Sequence, residues 1–150
     1  MQAAEREERA AAGAGSRRLG PPGVDWTFAA MAAAWTAVIF FVNSRPARNL
    51  PDIGWEIPHF DKLAHFGIYG VLAFLAHGAI APLWRRPVVR WPGAIVVGIV
   101  ALTGMVDELQ QLLRPGRQLD AVDWLANVLG AAAAVLVAKA VWAWRRRRRW

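Results

Sequence analysis

Four long apolar segments dominate the chain, and each is close to the length needed to cross a lipid bilayer. They run from Trp26 to Val42, from Leu63 to Leu83, from Gly93 to about Leu113 and from Val122 to Trp144. A bilayer core about 30 Å thick takes about 20 helical residues, and a spanning helix satisfies its own backbone hydrogen bonds. Because the connections are short, the sequence predicts an all-α, polytopic membrane protein with four transmembrane helices in an antiparallel bundle.

Composition supports this class and divides the chain into three regions. Of the 150 residues, 56% are hydrophobic and nine are Trp, which favours a membrane protein over a water-soluble core. The absence of Cys excludes disulfides, thiol catalysis and cysteinyl metal sites. We predict a disordered cytoplasmic tail at 1–24, a transmembrane domain at 25–144 and a basic cytoplasmic tail at 145–150, because the first region has little to bury.

The basic residues of the connections and ends indicate how the bundle is oriented. If both termini are cytoplasmic, twelve arginines lie inside and five basic residues lie outside. The inner set is Arg6, Arg9, Arg17, Arg18, Arg85, Arg86, Arg90 and Arg145 to Arg149; the outer set is Arg45, Arg48, Lys62, Arg114 and Arg117. Since Lys and Arg accumulate in cytoplasmic loops, we expect both termini in the cytoplasm of a multi-pass protein of the cell membrane.

The net charge of +7 raises the question of a nucleic-acid partner. The final arginine run, however, follows an apolar segment that carries Trp142 and Trp144 close to its end. Indole rings and basic side chains both favour the membrane interface. We therefore expect the lipid bilayer as a partner, and no nucleic acid.

Polar and ionisable residues concentrate at the predicted outer ends of the second, third and fourth helices. A charge at the centre of a membrane helix costs roughly 2.5–3.5 kcal/mol, so such residues usually face the bundle interior or a pocket. Helical spacing predicts three polar stripes: Asp61, His65 and Tyr69; Gly104, Asp107 and Gln111; and Asp120, Asp123, Asn127 and Gly130. Because all three stripes lie at one depth, we expect them to converge.

One interpretation of this convergence is catalysis. His65 would act as a general acid or base, with Asp107 or Glu108 as its carboxylate partner. Arg114 and Arg117 would hold an anionic substrate, such as a phosphate of a lipid or cell-wall intermediate. The candidate substrate-binding residues are Asp61, Lys62, Tyr69, Gln111, Arg114, Arg117, Asp120, Asp123 and Asn127.

Two other interpretations stay open. The pocket binds an envelope ligand without converting it, or the polar groups pair with one another in a purely structural network. His65 and nearby carboxylates could also ligate zinc, manganese or magnesium, but one histidine without His-x-x-x-His or Cys spacing is weak support. We therefore predict no metal ligands, and the sequence identifies no cofactor.

Two blocks of sequence carry a family resemblance. They are DKLAHFGIYGVLAFL at 61–75 and DELQQLLRPGRQLDAVDWLANVLGA at 107–131. They resemble the VanZ-like family of small bacterial membrane proteins, with its pattern DK-x-x-H-F-x-x-Y and then DE-x-x-Q, P-G-R, D-x-x-D and N-x-x-G. The motif positions fall on Asp61, Lys62, His65, Phe66, Tyr69, Asp107, Glu108, Gln111, Pro115, Gly116, Arg117, Asp120, Asp123, Asn127 and Gly130. Gln110 stands where some members have His.

The resemblance covers about residues 38–134 and implies a multi-pass protein of the cell envelope. The founding member of the family is associated with resistance to the glycopeptide antibiotic teicoplanin. The resemblance therefore implies a role in envelope physiology or antibiotic tolerance, with a lipid-linked envelope precursor or an anionic lipid as candidate partner. It supplies no reaction, so the question of enzyme activity and the oligomeric state stay open.

Overall fold

A computed structural model describes residues 23–45, 58–85, 91–113 and 118–148. Within these ranges the chain is helical and contains no strand. The helices are α1 (Trp26–Asn43), α2 (Phe60–Ile80), α3 (Pro92–Gln111) and α4 (Ala121–Arg147), and a short 3-10 helix (Ala81–Arg85) follows α2. All four α-helices are long and apolar enough to cross a membrane. The predicted all-α fold with four transmembrane helices is confirmed.

The helix ends follow local chemistry. Asp25 is the N-cap of α1. Its Oδ1 accepts hydrogen bonds from the backbone N–H groups of Thr27 and Phe28 and so satisfies two donors at the helix start. Pro92 opens α3 at a position where the missing N–H is not needed. The last helix continues beyond Trp144 to Arg147. Residues 1–22 of the tail predicted at 1–24 lie outside the described residues, as does the connection at 46–57.

Contacts at the two ends of α2 and α4 show that these helices are antiparallel. At one end, Lys62 near the start of α2 donates a hydrogen bond to Asp120, which directly precedes α4. At the other end, His77 in the last turn of α2 contacts Trp142 edge-to-face, with ring centroids 5.5 Å apart. We call the first of these the polar end and the second, which carries the terminal arginines, the basic end.

The second helix is the centre of the bundle, because it contacts each of the other three and contacts α4 most extensively. At the closest point of these two helices, Gly130 lies directly against the backbone of Phe66, and Gly70 faces the carbonyl of Gly130. Glycine permits this approach because it has no Cβ. The contact sets the register of the two helices and brings His65 level with Asn127.

Apolar side chains form both the core and the outer surface. The buried core consists of Ile39, Tyr69, Leu72, Ala73, Val96, Val100, Ala131 and Val135. Large apolar side chains also cover the outside, where Leu102 is 69% and Leu136 is 66% exposed. An apolar exterior this extensive is unfavourable in water and suits the lipid interior.

The close approach of α2 and α4 leads to a stability prediction. Gly130→Ala should destabilise the bundle by about 1–3 kcal/mol, the usual range for overpacking, because the new Cβ would overlap the carbonyl of Phe66. Gly67→Ala is the matched control, since a Cβ there meets nothing within 4 Å, and it should be neutral or stabilising. Unfolding in mixed detergent micelles, followed by circular dichroism, measures both variants. Equal stability of the two would contradict the close approach.

Candidate functional site

The polar end encloses most of the polar residues that the sequence singled out. Among the described residues of this end, Tyr69, Asp107, Glu108, Gln111 and Asn127 are buried. The side chains of His65 and Asp123 are 17% and 15% exposed. These groups come from α2, α3 and α4, so the structure brings the three stripes together inside the bundle.

Asp107 is held by two hydrogen bonds from other helices. Its Oδ2 accepts from the hydroxyl of Tyr69 on α2 at 2.9 Å and from the amide of Asn43 at the end of α1 at 2.5 Å. Donors to a carboxylate make stronger hydrogen bonds than donors to neutral acceptors. We call Asn43, Tyr69 and Asp107 the aspartate network, and it ties α1, α2 and α3 together.

A glycine makes room for this arrangement. At Gly104, one turn before Asp107, an added Cβ would lie 2.9 Å from Nδ2 of Asn127 and 3.4 Å from the ring of Tyr69. The missing side chain therefore lets α4 and α2 place an amide and a phenol against α3. Protein interiors are close-packed, so the two polar side chains fit against α3 only because Gly104 has no side chain.

His65 lies between an amide and a carboxylate of α4. Its Nδ1 is 3.0 Å from Oδ1 of Asn127, and its Nε2 is 3.7 Å from Oδ2 of Asp123. Because an amide oxygen only accepts hydrogen bonds, this contact places a proton on Nδ1, and Nε2 on the other side of the ring faces the carboxylate of Asp123. Ligating atoms of His65, Glu108 and Asp123 all lie within 4.8 Å of one another. We call these three the histidine group.

Glu108 is buried with weaker hydrogen bonds than its sequence neighbour. It is 1% exposed, and its two oxygens accept from the backbone N–H of Asp120 at 3.2 Å and from the amide of Gln111 at 3.4 Å. Charge-assisted hydrogen bonds are usually about 2.7–2.9 Å long. The structure therefore satisfies the Asp107 carboxylate well and the Glu108 carboxylate poorly.

Lys62 forms the rim of the site. Its ammonium lies 2.8 Å from Asp61, 2.6 Å from Asp120 and 2.7 Å from Asp123. The hydrogen bond from Lys62, together with one from the backbone N–H of Val122, holds the pKa of Asp120 below its usual value. Asp120 is therefore ionised at neutral pH.

Carboxylates are concentrated at the polar end in the described part of the chain. Five carboxylates lie there, belonging to Asp61, Asp107, Glu108, Asp120 and Asp123. Lys62 is the described cationic side chain that forms ion pairs with acids of this group. Uncompensated negative charge is costly in an apolar surrounding. Lys62 offsets this cost for the three acids that it pairs with, Asp61, Asp120 and Asp123.

The structure refines the roles expected from the sequence. Asp107, a proposed partner of His65, is hydrogen-bonded to Tyr69 and Asn43, whereas Asp123 faces His65 directly. Asp61 stays at the rim, where its side chain is 59% exposed. Arg114 and Arg117 lie outside the described residues.

Asn43 was not among the candidate site residues. The sequence feature that could have identified Asn43 is its position: it is an amide at the C-terminal end of an apolar span, at the same end of the bundle as Asp107. Spacing within one helix cannot show such a contact between two helices.

A family model described as VanZ/LLP1 matches residues 23–143, which include α1, α2 and α3 and nearly all of α4. The chain belongs to the VanZ/LLP1 family. The resemblance seen in the two sequence blocks is therefore confirmed. No curated protein and no solved structure matches the chain. Together with four helices that can span a bilayer, membership makes this a multi-pass membrane protein of the VanZ/LLP1 family.

In this VanZ/LLP1 protein, the aspartate network leads to a second stability prediction. Tyr69→Phe removes the hydroxyl donor and leaves a buried carboxylate short of one hydrogen bond, so it should destabilise the bundle by about 1–3 kcal/mol. Thr103→Val is the control, because its hydroxyl bonds only the carbonyl of Ile99 in its own helix at 3.0 Å, and it should change stability by less than about 0.5 kcal/mol. Thermal unfolding in detergent compares them. A fully stable Tyr69→Phe variant would show that the hydroxyl does not hold Asp107.

Proposed function

We propose that this protein acts in cell-envelope physiology by binding the polar head group of an envelope lipid or lipid-linked cell-wall precursor at its polar end. The observation that carries the proposal is the convergence of His65, Glu108 and Asp123 from three helices. Ionisable residues inside a membrane bundle usually mark a ligand or ion pathway. A contribution to glycopeptide tolerance would be the cellular result, as the family resemblance implies.

The contrast between the two parts of the polar end argues against a purely structural role. The aspartate network supplies strong hydrogen bonds between helices, and the contact at Gly130 fixes α2 against α4. The histidine group adds ionisable side chains inside the bundle, and its buried member Glu108 accepts only long hydrogen bonds. Apolar residues of similar volume at such positions are usually as stable or more stable. Binding explains the histidine group better than packing does.

The position of the arginines supports an extracytoplasmic site. Arg145, Arg147 and Arg148 lie at the end of α4, while the histidine group lies near its beginning. Because basic residues accumulate on the cytoplasmic side, the basic end would be inside and the polar end outside. A head group of the outer leaflet would then reach the site.

The cysteine-free chain permits a direct test of this orientation. Single substitutions Ser44→Cys at the polar end and Arg148→Cys at the basic end introduce one thiol each. A membrane-impermeant maleimide should label Ser44→Cys in right-side-out vesicles, and should label Arg148→Cys only after the vesicles are permeabilised. The reverse pattern would place the polar end in the cytoplasm and contradict the proposal.

Catalysis is the second candidate, favoured by the setting of His65. Its Nδ1 is held by Asn127 and its Nε2 faces the carboxylate of Asp123. A ring oriented in this way can accept and donate a proton. The substrate would be a phosphate-bearing lipid or cell-wall precursor at the same site.

Substitutions in the histidine group test the proposed function. His65→Ala and Glu108→Gln should leave membrane accumulation and helix content close to wild type, but reduce both the envelope lipid retained on purification and the teicoplanin tolerance of an expressing bacterium. Asp25→Asn is the matched control, because it removes a carboxylate at the basic end of the bundle and Asn can still cap α1. Mass spectrometry of the retained lipid measures binding, and a converted product in place of intact lipid would favour the enzyme.

Two outcomes would contradict binding at this site. If His65→Ala and Glu108→Gln only lower the amount of folded protein, the polar end is structural. If both variants retain lipid as wild type does, the lipid binds elsewhere.

A further inference from the structure

We propose that His65, Glu108 and Asp123 bind one divalent first-row transition-metal ion, zinc or manganese. The inference deepens the proposed function, since it rests on the same site and assigns it an ion that would meet the head group. It goes against the sequence-based expectation of no metal ligands. That expectation followed from spacing along the chain, whereas these ligands come from three different helices.

The geometry of the histidine group suits a single ion. The ligating atoms of its three residues lie within 4.8 Å of one another, so a point exists within about 2.8 Å of all three. Zinc binds nitrogen and oxygen ligands at about 2.0–2.2 Å. Each side chain needs to move by less than about 1 Å to reach such a distance, which small rotations about side-chain bonds supply.

The donor set selects the class of ion. One imidazole nitrogen and two carboxylate oxygens suit zinc, manganese or iron(II), and they do not suit the soft copper(I) ion. Three protein ligands also leave at least one position open, as in catalytic rather than structural zinc sites. A phosphate oxygen of a bound head group can occupy that position.

Each of the three proposed metal ligands also contacts a residue outside the ligand set. Asn127 bonds Nδ1 of His65 and leaves Nε2 directed towards the carboxylate of Asp123. Lys62 pairs with Oδ1 of Asp123 and leaves Oδ2 facing His65. The backbone N–H of Asp120 and the amide of Gln111 donate longer hydrogen bonds to Glu108. Outer partners of this kind orient the ligands of metal sites.

The ion would also supply positive charge beside a buried acid. Glu108 is 1% exposed and accepts only hydrogen bonds of 3.2 and 3.4 Å. A carboxylate is costly to bury in an apolar surrounding without a strongly bound partner. A divalent ion next to its oxygens would offset that cost.

Metal content measures the proposal directly. The protein is purified in mild detergent with a tag that contains no histidine, stripped with a chelator, incubated with Zn²⁺ or Mn²⁺ and desalted. Wild type should retain about one ion per chain, measured by mass spectrometry of the metal. Glu108→Gln and Asp123→Asn should bind at least about tenfold more weakly, whereas Asp25→Asn, at the basic end of the bundle, should bind as wild type does.

Cobalt(II) adds a readout of the ligand set. Wild type loaded with Co²⁺ should show visible d–d absorption, and His65→Ala should change its position and intensity because a nitrogen ligand is lost. Asn127→Ala should keep the spectrum of the nitrogen ligand but weaken the affinity by about 10–100-fold. A spectrum that His65→Ala leaves unchanged would overturn the assignment of this ligand.

Metal retention by the wild-type protein tests the metal site even if a variant fails to fold. Wild type that retains no more Zn²⁺ or Mn²⁺ than buffer without protein would overturn the metal site. Lipid retained by such metal-free wild type would leave the proposed function standing. Metal bound at the histidine group without any retained lipid would support the metal site and contradict the proposed function.

Discussion

The lipid bilayer imposes the constraint on which this structure depends. A polar side chain in the hydrocarbon has no water to bond, so it must find a partner inside the bundle. The contact of Gly130 with the backbone of Phe66 makes this possible, because it draws α4 against α2 and sets His65 level with Asn127. A wider separation of these two helices would leave both side chains without their shared hydrogen bond.

The neighbouring carboxylates of Asp107 and Glu108 differ in the strength of their hydrogen bonds. Asp107 and Glu108 are both buried on α3. Asp107 accepts short hydrogen bonds from two other helices, which makes it part of the framework of the bundle. Glu108 accepts only long ones and faces a histidine and a second carboxylate. Because the hydrogen bonds of Glu108 are long, its carboxylate can still gain free energy from a stronger partner.

The sequence predicted the helices well and their partners only in part. Spans of about 20 apolar residues predict membrane helices on length alone, and the first predicted span begins at Trp26, where α1 begins. Spacing also predicted which residues share a stripe. It could not predict that Tyr69 meets Asp107 while His65 meets Asp123, because these pairs depend on the register between helices. That register follows from packing at Gly70 and Gly130. Glycine in a polar stripe predicts a close approach of two helices, but the sequence does not show which residue of the neighbouring helix the glycine meets.

The histidine group also bears on how the chain is made. His65 and Glu108 are synthesised before α4, while Asp123, Asn127 and the backbone donor at Asp120 arrive with it. Until the last helix inserts, the first three helices therefore carry ionisable groups without the partners that the finished bundle gives them. Insertion of α4 supplies these partners and brings the histidine group together. The histidine group therefore forms only when the last helix joins the bundle.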